Sequence, residues 1–164
     1  MQRVMIIGCP GAGKSTFARA LAEKTGLPLI YLDMIWHKPD RTHISRDEFD
    51  LRLAEILRGD SWILDGHYSR TLATRYAACD TVFWLDLPLS ACLAGVRARI
   101  GKHRPDMPWD ATAEDPEFTE QVRSFDAENR PQIEAMLAHS EGKNVRIFHS
   151  HEEVDAYLAT LWGI

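Results

Sequence analysis

Residues Gly8-Cys9-Pro10-Gly11-Ala12-Gly13-Lys14-Ser15 satisfy the spacing GxxxxGK[ST], and each residue type in that pattern has a reason to be there if the segment holds phosphate. Glycines let the backbone curl until successive N–H groups point at phosphate oxygens. Gly8, Gly11, Ala12 and Gly13 would form that cradle. Lys14 would reach the β- and γ-phosphates of ATP, Ser15 would offer its hydroxyl to Mg²⁺, and Thr16 would add a phosphate contact. Cys9 has no His or second Cys beside it in the sequence, so it reads as a small loop filler rather than a redox sensor.

Such a loop works only between a strand and a helix, and the flanking sequence supplies both. Val4–Ile7 is a short apolar run with the character of a buried strand, and Phe17, Ala18, Leu21 and Ala22 recur with helical spacing up to a stop at Gly26. Further strands are expected at Pro28–Leu32, Ser61–Leu64, Thr81–Leu85 and Val145–Phe148. Helices are expected at Ser45–Arg58, opened by the capping box Ser45-Arg46-Asp47-Glu48, and at about Ser90–Ile100, Glu117–Ser140 and Glu152–Leu161. Pro131 is expected to break or restart the long one. Alternating strands and helices imply right-handed crossovers around a parallel sheet. The expected class is α/β: a three-layer P-loop NTPase fold with a five-stranded sheet. Residues 1–164 form one domain in this reading, with a lid at about 101–116 where Pro, Asp, Lys and Arg replace any periodicity.

Open α/β sheets bind ligands beyond the carboxyl ends of their strands, which draws attention to Asp33, Asp65-Gly66-His67-Tyr68 and Asp86. Trp62–Thr71 resembles the strand and loop of adenylate kinases, where an apolar strand runs into Asp-Gly-Phe-Pro-Arg-Thr. This chain has one extra residue before Arg70 and no proline. That resemblance implies that Asp65 holds the water shell of Mg²⁺ and that Arg70 contacts an acceptor phosphate. Kinases that phosphorylate a hydroxyl, such as shikimate- and gluconate-type enzymes, resemble the chain in a different respect, an aspartate after the second strand. A carboxylate there can orient a hydroxyl and accept its proton, a role Asp33 could fill. Trp36, His67 and Tyr68 would then supply stacking and polar contacts to the acceptor.

Nearly the full length resembles the DNA topology modulation proteins, P-loop proteins of adenylate-kinase-like fold. The match is carried by Gly8–Thr16, Leu32-Asp33 followed by Trp36, Lys38 and Pro39, Asp65-Gly66-His67-Tyr68, Arg104-Pro105-Asp106-Met107 and Arg130-Pro131. It implies an ATP-binding kinase fold. By analogy with adenylate kinases, Arg97 would lie against adenine, with Arg104 and Arg130 near phosphate. The expected activity is transfer of the γ-phosphoryl of MgATP to a small acceptor, either a nucleoside monophosphate or a hydroxyl-bearing metabolite. The alternative is a nucleotide-dependent regulatory or DNA-topology-associated binding protein without turnover.

Composition narrows the partners. The chain has 164 residues, 45% of them hydrophobic, and 19 Lys plus Arg against 24 Asp plus Glu give a net charge of −5. That is enough chain to bury a core without disulfides or structural metal. The negative balance disfavours a nonspecific grip on nucleic acid, and no helix-turn-helix, zinc finger or basic arm is present. The three cysteines form no CxxC pair, which fits a reducing cytoplasm, and no apolar run is long enough for a membrane span. The expected partners are therefore ATP and a small acceptor, with the chain a monomer or weak homodimer.

Overall fold

The computed structural model describes residues 1–161, so only the last three residues of the expected 1–164 domain lie outside it. Five strands form one parallel sheet in the order β2-β3-β1-β4-β5: β1 (Arg3–Gly8), β2 (Leu29–Tyr31), β3 (Trp62–Asp65), β4 (Thr81–Leu85) and β5 (Asn144–Phe148). Alternation of side chains along each strand sorts the interior into two cores. Val4, Ile6, Ile63, Phe83, Leu85 and Phe148 face one side, where α1 (Lys14–Thr25) and α7 (His151–Thr160) cover them with Phe17, Leu21 and Val154. Met5, Ile7, Leu64, Val82 and Trp84 face the other, against Phe49 and Leu53 of α3 (Arg46–Leu57) and Leu72 of α4 (Leu72–Ala78). Both faces are covered, as a parallel sheet requires.

The register positions the chemistry. Ile6 and Tyr31 both pair with Asp65, so the loop after β1, the turn after β2 and Asp65 itself emerge side by side at one end of the sheet. Here the second strand is shorter than its apolar run suggests. β2 is an edge strand of half-buried residues, and the chain coils at Leu32 into α2 (Leu32–Trp36). Leu32 is fully buried, and Asp33 lies in the first turn, where a carboxylate meets the helix N-terminus favourably. Asp33 thus stands on a helix rather than at a strand end.

Ser45 caps α3 by accepting from the Glu48 amide at 3.1 Å, as its capping box predicts. The other departure concerns α6 (Pro116–Leu137), which runs through Pro131 without a break. Pro131 and Ala127, the residue whose carbonyl loses a partner, are both exposed, so water can satisfy that oxygen. The buried Val122 and Ile133 hold the two halves in line, each in a different core. Residues 100–115, between α5 (Leu89–Arg99) and α6, form no helix or strand.

Candidate active site

The phosphate loop is shaped by close packing on α5. At Gly11, φ is +83° and an added Cβ would lie 2.0 Å from the Cys92 carbonyl oxygen, so no side chain fits. The loop leads into α1 through Gly13, with no side chain capping the helix, which leaves first-turn N–H groups facing outward as donors for an anion. Lys14 is buried and its Nζ donates to the Cys9 carbonyl at 3.0 Å. Burial holds its ammonium below the usual lysine range, against the pull of Asp65. Cys9 is buried as well and shares a cavity of about 430 Å³ with Cys92, Asp86, Arg130 and His149. Contact with Cys92, together with burial, pushes its thiol up, which makes it a poor nucleophile.

Beside Lys14 stand two carboxylates. Ser15 Oγ donates to Asp65 Oδ2 at 2.5 Å and lies 3.2 Å from Asp106 Oδ2. Asp65 is 5% exposed and its Oδ1 is buried with no hydrogen-bond partner among the described residues. Burial pushes Asp65 up to about 6, against the opposing effects of Lys14 and Ser15. A buried, half-satisfied carboxylate next to a phosphate-loop hydroxyl fits Mg²⁺, a hard cation that takes oxygen ligands. Among the described residues no group of three or more His, Cys, Asp and Glu could hold a metal, so these two residues would share such an ion with phosphate oxygens.

The loop that carries Asp65 onward is fixed by a residue the sequence did not single out. Arg75 of α4 is fully buried and donates to Thr71 Oγ1 at 3.1 Å, to the carbonyls of Gly66 (2.9 Å) and Tyr68 (3.0 Å), and to that of His67. These bonds hold Tyr68 at φ +41°, a left-handed conformation that costs a bulky residue energy. In that pose Tyr68 stacks on Phe49 and its hydroxyl donates to Asp33 Oδ1 at 2.6 Å. His67 packs edge-on to Phe125 at 4.7 Å, and neither ring nitrogen meets hydrogen-bond geometry. Burial, with Lys14 and Arg75 near, pushes the ring down to about 3 despite Asn129. It is a neutral imidazole at physiological pH.

The remaining residues singled out from sequence fall elsewhere. Trp36 stacks on His43 with ring centroids 4.3 Å apart and meets Phe49 edge-on. Arg70 turns outward and forms a two-pronged pair with Asp50, at 2.8 and 3.0 Å. Arg97 is exposed and pairs with Glu114 at 3.3 Å. Arg130 pairs with Asp86 at 2.5 Å and with Asp126 at 2.7 Å, and lies over the Trp84 ring. Arg104 binds Asp106 at 2.5 Å. Two arginines apart from these matter: Arg19 lies 3.9 Å from Asp106, and Arg99 makes no ion pair among the described residues. Burial and the neighbouring Arg104 lower the Arg99 guanidinium against the pull of Asp106, Asp33 and Asp65, and Arg99 stands one turn beyond Gly95, which packs on Gly11 of the phosphate loop. Trp109, in the same connection as Asp106, meets His37 edge-on at 4.9 Å and Arg41 at 5.7 Å.

A phosphate loop after the central strand, backed by a strand-end aspartate in a five-stranded parallel sheet, defines the P-loop kinase fold. The chain belongs to the AAA-domain family, whose sequence profile matches residues 3–141. An adenylate kinase of Thermotoga neapolitana is 31% identical over 88 residues, which are 52% of this chain and 39% of that protein. The chain thus spans about two fifths of the length of the curated relatives it matches. Shikimate kinase from Acinetobacter baumannii, solved with shikimate, superposes with a TM-score of 0.63 at 18% identity, covering 98% of this chain and 93% of that one. Deoxyadenosine kinase from M. mycoides with bound dATP gives 0.56 at 12% identity over 98% and 99%. At these identities the likeness is one of fold.

Proposed function

We propose that this chain is an ATP-dependent kinase whose acceptor is a hydroxyl-bearing small molecule. The observation that carries this reading is the arginine inventory beside Asp33. A monophosphate acceptor calls for guanidinium forks, yet Arg70 is committed to Asp50 on the surface and Arg75 to backbone carbonyls, and Arg99, on which Asp33 also acts, is assigned here to the transferring phosphoryl group. What the acceptor side offers is a carboxylate fixed by Tyr68, a neutral His67, and aromatic surface from Trp36 and Tyr68. That set suits an uncharged group. Asp33 would orient the acceptor hydroxyl and take its proton as the oxygen bonds to the γ-phosphorus and the bond from that phosphorus to ADP breaks.

The glycines and Ala12 of the loop, with Lys14 and Thr16, would hold the triphosphate, and Ser15 and Asp65 would hold Mg²⁺. When bound, that ion neutralises charge on the β- and γ-phosphates. Residues 101–116 would act as a lid that excludes water. Arg99 and Arg104 would then approach the transferring group, with Arg130 near phosphate and Arg97 against adenine. We also place the chain among the DNA topology modulation proteins, on the motifs given above. The DNA-associated alternative gains little from Lys102–Arg104, since His103 and Arg104 each face an aspartate of their own loop. No described helix is long and apolar enough to cross a membrane, and three buried free cysteines accord with a reducing cytoplasm. We read the chain as one domain acting as a monomer or weak homodimer.

The test is a coupled ADP-release assay on purified protein with ATP and separate panels of nucleoside monophosphates, nucleosides and hydroxyl metabolites. Turnover is expected only with hydroxyl acceptors, and Asp33→Asn should lower kcat at least about 100-fold while leaving ATP affinity unchanged. Preferential turnover of a monophosphate, or full activity in Asp33→Asn, would refute the hydroxyl reading.

A further inference from the structure

Asp106 lies in the middle of the 100–115 connection, 91 residues from Ser15 in sequence, yet it is 3% exposed and touches the phosphate loop's own helix. Its contacts are Ser15 Oγ at 3.2 Å, Arg104 Nη2 at 2.5 Å and Nε at 3.4 Å, and Arg19 Nη1 at 3.9 Å. The Ser15 hydroxyl has one proton, and ionised carboxylates can only accept. With that proton directed at Asp65, the contact from Ser15 to Asp106 is oxygen against oxygen with no hydrogen between. Three oxygens from α1, β3 and the connection therefore converge with only the Ser15 proton among them, Asp106 Oδ2 accepting besides from Arg104, and Asp65 Oδ1 is buried beside them without a partner among the described residues. Ligands at adjacent corners of a Mg²⁺ octahedron, each about 2.05 Å from the ion, lie about 2.9 Å apart. The observed 2.5 and 3.2 Å bracket that spacing.

We propose that Asp106 is a third protein oxygen of a divalent-cation site built with Ser15 and Asp65, so that binding the cation and docking the connection are one event. This rests on the kinase reading above, in which Mg²⁺ accompanies the nucleotide. Mg²⁺ sites of this kind use one or two carboxylates together with substrate phosphates, which matches Asp65 and Asp106. Arg104 and Arg19 neutralise Asp106 before the ion arrives and lie within reach of phosphate afterwards. Trp109 contacts His37 and Arg41 from the same connection, so docking at the metal also covers the acceptor side. A kinase arranged this way closes its lid only over a metal-loaded nucleotide.

The probe is Mn²⁺, titrated into the full chain with saturating ADP and followed by the electron paramagnetic resonance signal of the free ion. Asp106→Asn keeps the side chain's shape and should weaken Mn²⁺ binding at least about tenfold, while ADP affinity in EDTA stays within about threefold. Asp106→Glu, which restores a carboxylate, should recover part of the loss. Trypsin supplies a second readout: Mn²⁺ with ADP should protect the bond after Lys102 in wild type and not in Asp106→Asn. Equal Mn²⁺ affinity in wild type and Asp106→Asn overturns this inference and leaves the kinase reading standing. So does an Asp106→Asn protein that binds metal-free ADP more tightly with Mn²⁺ affinity unchanged, because Asp106 would then be only a stand-in for phosphate. Wild-type protein that binds no ADP defeats the kinase reading itself, and this inference with it.

Discussion

Gly95 in the interior of α5 presents two opposing forces whose balance can be measured. Helix propensity alone favours alanine there by about 1 kcal/mol. Against this, a Cβ at position 95 would sit 2.0 Å from the Gly11 carbonyl oxygen, 2.9 Å from its carbonyl carbon and 3.1 Å from its Cα. Favourable heavy-atom contact needs about 3.5 Å, so the phosphate loop and α5 must part by on the order of 1 Å. Both partners are backbone, and no side chain can swing aside. Overpacking of this kind costs about 1–3 kcal/mol, which offsets the propensity gain or exceeds it and leaves Gly95→Ala less stable by up to about 2 kcal/mol. Binding should suffer more. Displacing the loop by that amount loses at least one charge-assisted hydrogen bond to phosphate, worth about 1.5–3 kcal/mol, or about 10- to 100-fold in Kd. Urea denaturation measures the first effect and calorimetric titration with ATP the second. Gly26→Ala is the control: φ is +72° and nothing lies within 4 Å of the added Cβ, so it should cost some stability and leave ATP affinity untouched. A Gly95→Ala protein about 1 kcal/mol more stable than wild type, binding ATP equally well, would refute the reasoning.

Two further predictions concern stability. Arg75→Met leaves the Gly66 and His67 carbonyls without a donor, while the Tyr68 carbonyl keeps the Thr71 amide; the cost is about 1–3 kcal/mol for each orphaned carbonyl that stays buried, partly offset because no charge is then buried. The expected loss is about 3 kcal/mol in urea, and a change below about 1 kcal/mol would show that the loop does not depend on this clamp. Asp80 accepts from the Gln2 and Arg3 amides at 3.0 and 2.9 Å. Burial works against its charge, but the Thr81 hydroxyl and these amides outweigh it and hold the carboxyl below its usual range. Its contribution is therefore present above the ordinary carboxylate pKa of about 4 and is lost as pH falls through the lower folded value. Wild type should exceed Asp80→Asn in stability at pH 7, with the gap closing as pH falls below the ordinary carboxylate range. A gap independent of pH would argue against the assignment.

Much of this molecule could be read from residue types alone, because its strands are buried and its phosphate loop needs specific side chains in order. Apolar runs marked all five strands, and Gly26 and Ser45 marked helix ends where the structure has them. The misses share a cause. Where a loop lands is not encoded in local periodicity, so Asp106 stood out only as part of the Arg104-Pro105-Asp106-Met107 motif, with nothing to say that it reaches Ser15. Arg97 and Arg99 are two positions apart on one helix and line one cavity with Arg104, and nothing local says how their side chains divide between surface and site. Arg75 sits in an ordinary amphipathic stretch, and only the carbonyls it meets after folding explain why an arginine is buried there. Pro131 misled for the reverse reason: its local penalty is real, but packing at both ends of α6 overrides it.

The unbroken course of α6 has a mechanical side. A sheet covered on both faces keeps its two interiors apart, yet this helix rests one end in each, at Val122 and Ile133. The eleven intervening steps make a strut about 16 Å long at 1.5 Å per residue. Its near end meets the phosphate loop, where the Cys9 thiol donates to the Val122 carbonyl at 3.7 Å. A volume change at Ile133 is expected to reach Cys9 as a tilt of this strut. Repacking a side chain remote from the phosphate loop would then be a means of tuning the grip on phosphate.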